Sequence, residues 1–335
     1  MKNTNDQDQC SHPTSTSWLR AGQLFAALDQ SDLARVIELA DHETALCIMN
    51  YKSPLMHAAR NSSIECVEAL LRFGNVGSGP DQETALHIAA FNDRPDVVRL
   101  LLAHSDPEAR DENGWTPLAM AALGGNAEVV KLLLPHTDVR GIDACGGTAL
   151  HVAAENGHCE CLDLLLAVSN PNARDEAGET ALMRAASGGH VDCAKTLLRV
   201  SDPNATCNEG WTALMIGVMD GNDAIVELLL PHVNARAITN DGRSAIRLAM
   251  DRGHPACADL LAPHSARKEA DRALEIFGPA QMPRYAAQRE AAAIAAAAEK
   301  GAAAARATNN AKGVVGAQTG IESPEVHLRK RAPRL

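Results

Sequence analysis

A short phrase, Thr-Ala-Leu-His-Ile-Ala-Ala at residues 84–90, returns along this chain every 32 residues. Thr84, Thr116, Thr148, Thr180, Thr212 and Ser244 open successive copies. A small pair follows each at a fixed distance: Ala89-Ala90, Ala121-Ala122, Ala153-Ala154, Ala185-Ala186, Gly217-Val218 and Ala249-Met250. A unit of this length cannot bury its own apolar face, so neighbours must stack into one continuous core. The period therefore predicts an all-α solenoid.

Within a unit the residues dictate the local structure. Gly114, Gly178 and Gly242 supply the positive φ that a tight turn demands. The Thr or Ser two places later is a natural helix N-cap. Leu118, Ala121 and Ala122 then share one helical face, where alanine lets adjacent helices approach closely. Gly124-Gly125, Asn156-Gly157 and Gly188-Gly189 end this short helix. A second helix buries Val129, Val130, Leu133 and Leu134, and Pro135, Pro171 or Pro203 lies in or near the connection to the next turn.

Residues 111–125, Asp-Glu-Asn-Gly-Trp-Thr-Pro-Leu-Ala-Met-Ala-Ala-Leu-Gly-Gly, resemble an ankyrin repeat, and so do residues 175–190. The resemblance covers roughly residues 20–264, about eight units with the first and last as caps. It implies β-turn fingers followed by antiparallel helix pairs, and a role in binding other proteins. It also implies that His87 and His151 hydrogen-bond between adjacent units. Ser53 opens the second unit, with Thr44-Ala45-Leu46 read as its finger, and the join from Phe73 to Asp81 is one residue short. Around the array we expect a disordered polar leader (1–19), a capping helix (265–278) and an alanine-rich helix with a disordered basic tail (279–335). The run Tyr285 to Lys300 has high helix propensity, and disorder is expected from Gly301 onward.

Charge divides the chain. Residues 1–264 hold 19 Lys and Arg against 35 Asp and Glu, a net of −16, whereas residues 265–335 hold 12 against 7, a net of +5. The array lacks the basic footprint that nucleic-acid phosphates require. Arg329-Lys330-Arg331-Ala332-Pro333-Arg334 is a short basic cluster in the tail. No stretch approaches the roughly 18 apolar residues of a membrane span, and residues 1–20 lack the apolar segment of a secretory signal. A cytoplasmic monomer is the expectation; the polar leader's likeness to the N-termini of bacterial effectors makes secretion into a host cell the alternative.

Nine cysteines invite a metal or redox reading, but Cys66, Cys161, Cys193 and Cys257 share one repeat position, filled elsewhere by Val97, Val129 and Ile225. They read as small core residues in a reducing compartment. His158-Cys159-Glu160-Cys161 is the tightest ligand-like cluster, but its two thiols should point to opposite sides of a helix. Repeated histidines read as scaffold. Gly74 to Gly79 lacks the Lys and Ser/Thr of a phosphate loop, and no catalytic constellation appears. We therefore expect no enzyme, metal or cofactor.

A binding face should use positions free of packing duty. The residue before each Thr or Ser varies: Glu83, Trp115, Gly147, Glu179, Trp211, Arg243. So do the two after each small pair, which include Phe91, Leu123, Met219 and Asp220. In the ankyrin fold both sets face the concave groove. Trp115 with Leu123 and Trp211 with Met219 are the expected apolar anchors. Glu179, Glu209 and Asp220, with Arg243, give the second half of the groove an acidic balance suited to a protein partner with a basic rim. The expected function is protein–protein binding through this groove, with docking of a host protein by a secreted effector as the alternative.

Overall fold

The computed structural model describes residues 15–41, 44, 53–73, 79 and 81–317. Sixteen of its helices pair off into eight units. The pairs are α1 (Ser15–Asp29) with α2 (Leu33–Leu39), α3 (Pro54–Asn61) with α4 (Ile64–Leu71), and α5 (Ala85–Phe91) with α6 (Pro95–Leu101). They continue with α7 (Pro117–Gly124) and α8 (Ala127–Leu133), α9 (Ala149–Glu155) and α10 (Cys159–Leu166), and α11 (Ala181–Ser187) and α12 (Val191–Leu197). The last are α13 (Ala213–Met219) with α14 (Asp223–Leu229) and α15 (Ala245–Arg252) with α16 (Pro255–Leu261). First helices pack on first helices and second helices on second helices of the next unit. The repeated Ala pairs and the first leucine of each Leu pair are buried along the array in one cluster, with the second leucine half-buried against it, as the period requires.

Between pairs the chain forms fingers joined edge to edge. Glu112, Ala144, Glu176, Asn208 and Asn240 each donate a backbone N–H to the preceding finger, at 2.9–3.0 Å. Isolated antiparallel bridges close three fingers: Ile142 with Thr148, Thr206 with Thr212, and Ile238 with Ser244. Gly114 shows why the turn needs glycine. Its φ is +76°, and a Cβ there would sit 2.8 Å from the Ala144 nitrogen that the next finger contributes. At the other end of the helix, Gly157 has φ +73° and a Cβ would collide with the His190 ring at 2.3 Å.

The repeated histidines are built into these joins. His158, His190 and His254 each pair Nε2 with a carbonyl at the end of the previous unit's first helix: Leu123 at 3.0 Å, Glu155 at 2.9 Å and Met219 at 3.2 Å. Asn126 and Asn222 do the same work with their amide nitrogens, satisfying carbonyls that a helix C-terminus leaves unpaired. His87 and His151 are buried. His87 Nε2 lies 2.9 Å from the Trp115 carbonyl, while Nδ1 lies 3.2 Å from the Thr84 backbone nitrogen. That pairing assigns the proton to Nε2 and leaves Nδ1 to accept. His151 repeats it, with Thr148 on one side and the Ala173 and Glu179 carbonyls on the other. Each ring thus ties a helix start to the next finger, as the family resemblance implies.

Burial holds both imidazoles below the ordinary histidine range, against the opposing pull of their carbonyl partners. Protonation would place a proton on Nδ1, facing the Thr N–H. Because the folded value is depressed, the unfolded chain binds the proton more tightly, so stability is full above about pH 6.5 and falls as pH descends toward the folded value. The urea midpoint should therefore drop between pH 7.5 and 5, and the drop should shrink in a His87→Gln, His151→Gln double variant. An equal drop in that variant would place the titration elsewhere.

The ends depart from the sequence expectation in detail. α1 begins at Ser15, inside the stretch read as a leader, and residues 1–14 lie outside the described residues. The finger read at 44–46 lies outside them too, except Thr44, as does most of the short join between Phe73 and Asp81. At the far end α17 (Arg267–Phe277) packs on α15 and α16 through buried Ala270 and Ala273, with Leu274 and Phe277 half-buried beside them. A long helix, α18 (Pro283–Ala317), follows and continues past Gly301, where disorder was expected. Its alanine content sustains it; residues 318–335 lie outside the described residues.

One cysteine reading needs correction. Cys66, Cys161 and Cys257 are buried free thiols, as the register predicts, and burial pushes the Cys161 thiol up to about 11. Cys193 is buried as well, but it is bonded to Cys159 with a Cα–Cα distance of 5.2 Å. The bond staples α10 to α12 across a unit boundary. Whole-unit alignment pairs Cys161 with Cys193, and it hides this diagonal 34-residue offset.

Candidate binding groove

Four of the fingers are fixed by a side-chain acceptor five residues before the Thr or Ser. Asp111 Oδ1 accepts the N–H of Asn113 and of Trp115, at 2.9 and 2.8 Å. Asp143 does the same for Cys145 and Gly147. Asp175 accepts from Glu179 at 2.8 Å, and Thr239 accepts from Arg243 at 3.0 Å. These bonds hold the residue before each Thr in one orientation, as an Asx turn does. Cys207 stands at that position in the Trp211 finger, which keeps only the backbone bonds shared with the other fingers, here from Cys207 N–H to Trp211 and from Gly210 N–H to Cys207.

The structure brings four of the expected residues to one cavity of about 460 Å³. Glu179, Glu209, Trp211 and Met219 line it together with Ala177, Cys207, Asn208 and Ile216. Ile216 was missed by sequence reasoning. It lies four residues after Thr212, where the other units place Ile88, Met120, Val152, Arg184 and Leu248. Several of these are buried, so the position reads as core; at Ile216 it is half-exposed and joins the cavity wall.

Trp211 is half-buried, and the Arg243 guanidinium lies over its ring at 5.6 Å, a cation–π arrangement. Arg243 is also ion-paired to Asp241 at 2.6 Å. Its hydrogen bond, with a second from the Thr239 hydroxyl, pulls Asp241 down to about 2. Arg243 is thus engaged within the protein and braces the tryptophan.

Glu179 meets a denser arrangement. Arg184 lies 3.0 Å from Glu179, 2.6 Å from Asp175 and 3.5 Å from Glu155. Burial raises the Glu179 carboxyl above the usual range, and Arg184 opposes that rise. By contrast Glu209 and Asp220 are exposed and make no ion pair among the described residues; Asp220 accepts a hydrogen bond from Ser187 at 3.0 Å. Glu209 thus brings a carboxylate without an ion pair to the cavity lining, and Asp220 adds a second one directly after Met219.

The first anchor pair is arranged differently. Trp115 and Leu123 are half-buried and pack against the core, and Phe91 is 43% exposed at the end of α5. None of the three lines the Trp211 cavity. A larger recess of about 810 Å³ lies along the second helices, between Arg99, Glu128, Lys131 and Glu160. Its charges are matched internally, Arg99 with Glu128 and Lys131 with Glu160. Among the described residues no cluster of His, Cys, Asp and Glu is arranged to hold a metal ion. No described helix is long and apolar enough to cross a membrane.

Comparison with known proteins gives a consistent picture. A family model described as ankyrin repeats (3 copies) matches residues 24–111, 93–175, 137–206, 161–237 and 182–273. Regulatory protein NPR6 of Arabidopsis thaliana is 40% identical over 97 residues, 28% of this chain and 20% of that protein. The BTB/POZ domain and ankyrin repeat-containing protein NBCL of Lotus japonicus is 48% identical over 69 residues, 19% of this chain and 14% of that protein. The chain thus spans a fifth or less of the curated relatives it matches.

Proposed function

The chain belongs to the ankyrin-repeat family, and from that premise we propose that it is a non-enzymatic binding protein whose partner docks in the concave groove at Trp211. The observation that carries this reading is the cavity itself. An apolar wall of Trp211, Ile216 and Met219 is bordered by Glu179 and Glu209. A partner that places an apolar side chain in the cavity and cations around it would satisfy both features. Phe91, Trp115 and Leu123 offer a second contact area three to four units away along the array.

Proximity labelling with the full chain supplies the test, because it names the partner. Trp211→Ala should weaken its binding by about 1–3 kcal/mol, the range of a buried aromatic anchor. Neutralising Glu209→Gln and Asp220→Asn should mainly slow association and flatten its salt dependence. These two are preferable to Glu179, whose replacement would disturb Arg184. The array's general acidity is controlled by Glu68→Gln and Asp163→Asn, both exposed on second helices. Equal effects from the two pairs, or wild-type binding by Trp211→Ala, would remove the groove from consideration.

A further inference from the structure

The groove reading specifies an occupant with apolar anchors beside several cations, and this chain contains one. Residues 326–335 read Val-His-Leu-Arg-Lys-Arg-Ala-Pro-Arg-Leu, in which Arg329, Lys330, Arg331 and Arg334 stand between Leu328 and Leu335. Pro333 biases the residue before it toward an extended conformation, the form in which a peptide can lie along a groove. The opposite sign of the two partners is large: the segment carries four cations and no carboxylate side chain, while Glu209 lines the cavity and Asp220 follows its Met219, both without ion-pair partners among the described residues.

The mount of α18 bears on which copy of the groove the segment meets. The helix is held at its first turns only. Asp259, buried in α16, accepts the N–H of Arg284 at 3.1 Å and of Tyr285 at 2.8 Å, capping the helix from outside its own sequence. Met282 and Tyr285 are buried, the Tyr285 hydroxyl donates to Asp271 at 2.8 Å, and Arg289 pairs with Asp271 at 2.7 Å. From Glu290 to residue 303 every residue is exposed. The helix leaves a rigid mount and stands clear of the array. Its length from Glu290 to Ala317 is about 40 Å at 1.5 Å per residue. Residues 318–327 span at most about 36 Å when extended, less than the free helix has already travelled. That linker is too short to bring the segment back to the start of the free helix, which favours a groove on another molecule.

We propose that residues 326–335 of one copy occupy the Trp211 groove of a second copy, with Leu328 or Leu335 in the cavity and the cations on Glu209 and Asp220. The proposal rests on the groove reading above. It replaces the monomer expected from sequence with an association that depends on concentration and on salt. The contact is either exchanged reciprocally within a dimer or passed head to tail along a series of copies.

The test uses the full chain and a charge-reversed full chain carrying Arg329→Glu, Lys330→Glu and Arg331→Glu. In sedimentation velocity at low salt, the wild-type chain should gain average mass as concentration rises, and the reversed chain should remain a monomer. A synthetic peptide of residues 324–335, titrated into the reversed chain, should shift tryptophan emission. Trp211→Ala in the reversed chain should weaken the peptide by at least about fivefold, read by calorimetry. A peptide with both leucines replaced by serine should also lose affinity. A wild-type chain that stays monomeric, with a peptide that binds the Trp211→Ala protein equally well, overturns the proposal. Tail-dependent emission that does not change with concentration would put the segment in its own groove, and also overturns it. If these experiments fail while Trp211→Ala still abolishes the partner found by proximity labelling, this inference falls and the groove reading stands. If that variant leaves the labelled partner unaffected too, both fall.

Discussion

Reducing the Cys159–Cys193 bond should lower the stability of the middle of the array by about 3–4 kcal/mol on a chain-entropy account. The bond closes a loop between residues 34 apart, and it spans the boundary between the α9–α10 and α11–α12 units. In a solenoid each unit contacts only its neighbours, so stability is a sum of unit and boundary contributions. A staple at one boundary therefore matters more than it would in a globular core, because no distant contact substitutes for it. The expected result is a lower urea midpoint in reductant, reproduced by Cys159→Ser without reductant and unchanged by reductant in that variant. Cys145, exposed and free, is the control: its replacement by Ser should leave the midpoint where it was. Peptide mapping of the unreduced protein should show the Cys159 and Cys193 peptides joined. Identical midpoints with and without reductant would mean that the bond contributes nothing to the fold.

What could be read from the sequence follows from what repetition makes visible. The Thr at each helix start, the glycines at positive φ and the buried Leu and Ala pairs recur in register, so six imperfect copies vote on each position. His87 and His151 were legible as scaffold for that reason, and their carbonyl partners sit on the following finger. The non-repeated features were not legible. The disulfide runs diagonally to the repeat. The α18 mount depends on Asp259, which reads as an ordinary acidic residue until it is seen to accept two N–H groups from another helix. Ile216 lines the cavity because its surroundings open there, and nothing in its register distinguishes it from buried Ile88. The groove residues were found by the opposite logic, as positions the repeat leaves unconstrained. That logic located Trp211 and Met219 together, but it could not show that Arg243 is already paired with Asp241.

Arg184→Ala should destabilise the array by about 2–3 kcal/mol, because it strands a buried carboxylate. Asp175 has a fully buried side chain, and Arg184 contributes its strongest partner at 2.6 Å. The remaining bond, from the Glu179 N–H, satisfies only the other oxygen. The figure sits at or below the bottom of the usual range because Arg184 is itself 26% exposed, so water can take up part of the charge. The neighbouring unit indicates the rescue. There the equivalent positions are Cys207 and Ile216, an uncharged pair that forms the same finger and helix. Arg184→Ile with Asp175→Asn should therefore recover most of the loss, whereas Arg184→Ile alone should not. The pH dependence separates charge from packing. Without the guanidinium, the Glu179 carboxyl, already raised by burial, should rise further. A carboxyl raised on folding binds its proton more tightly in the native state, so the penalty should be greatest near pH 7–8 and shrink toward pH 5. A penalty of constant size across that range, left unrescued by the double change, would show that Arg184 acts through its packing. Glu179 adds a functional consequence. With Arg184 absent its carboxylate is released at the cavity edge, so the rescued double variant should bind a cationic partner faster than wild type while folding as well. The salt bridge would then be the element that sets how much of the groove's negative charge is offered to a partner.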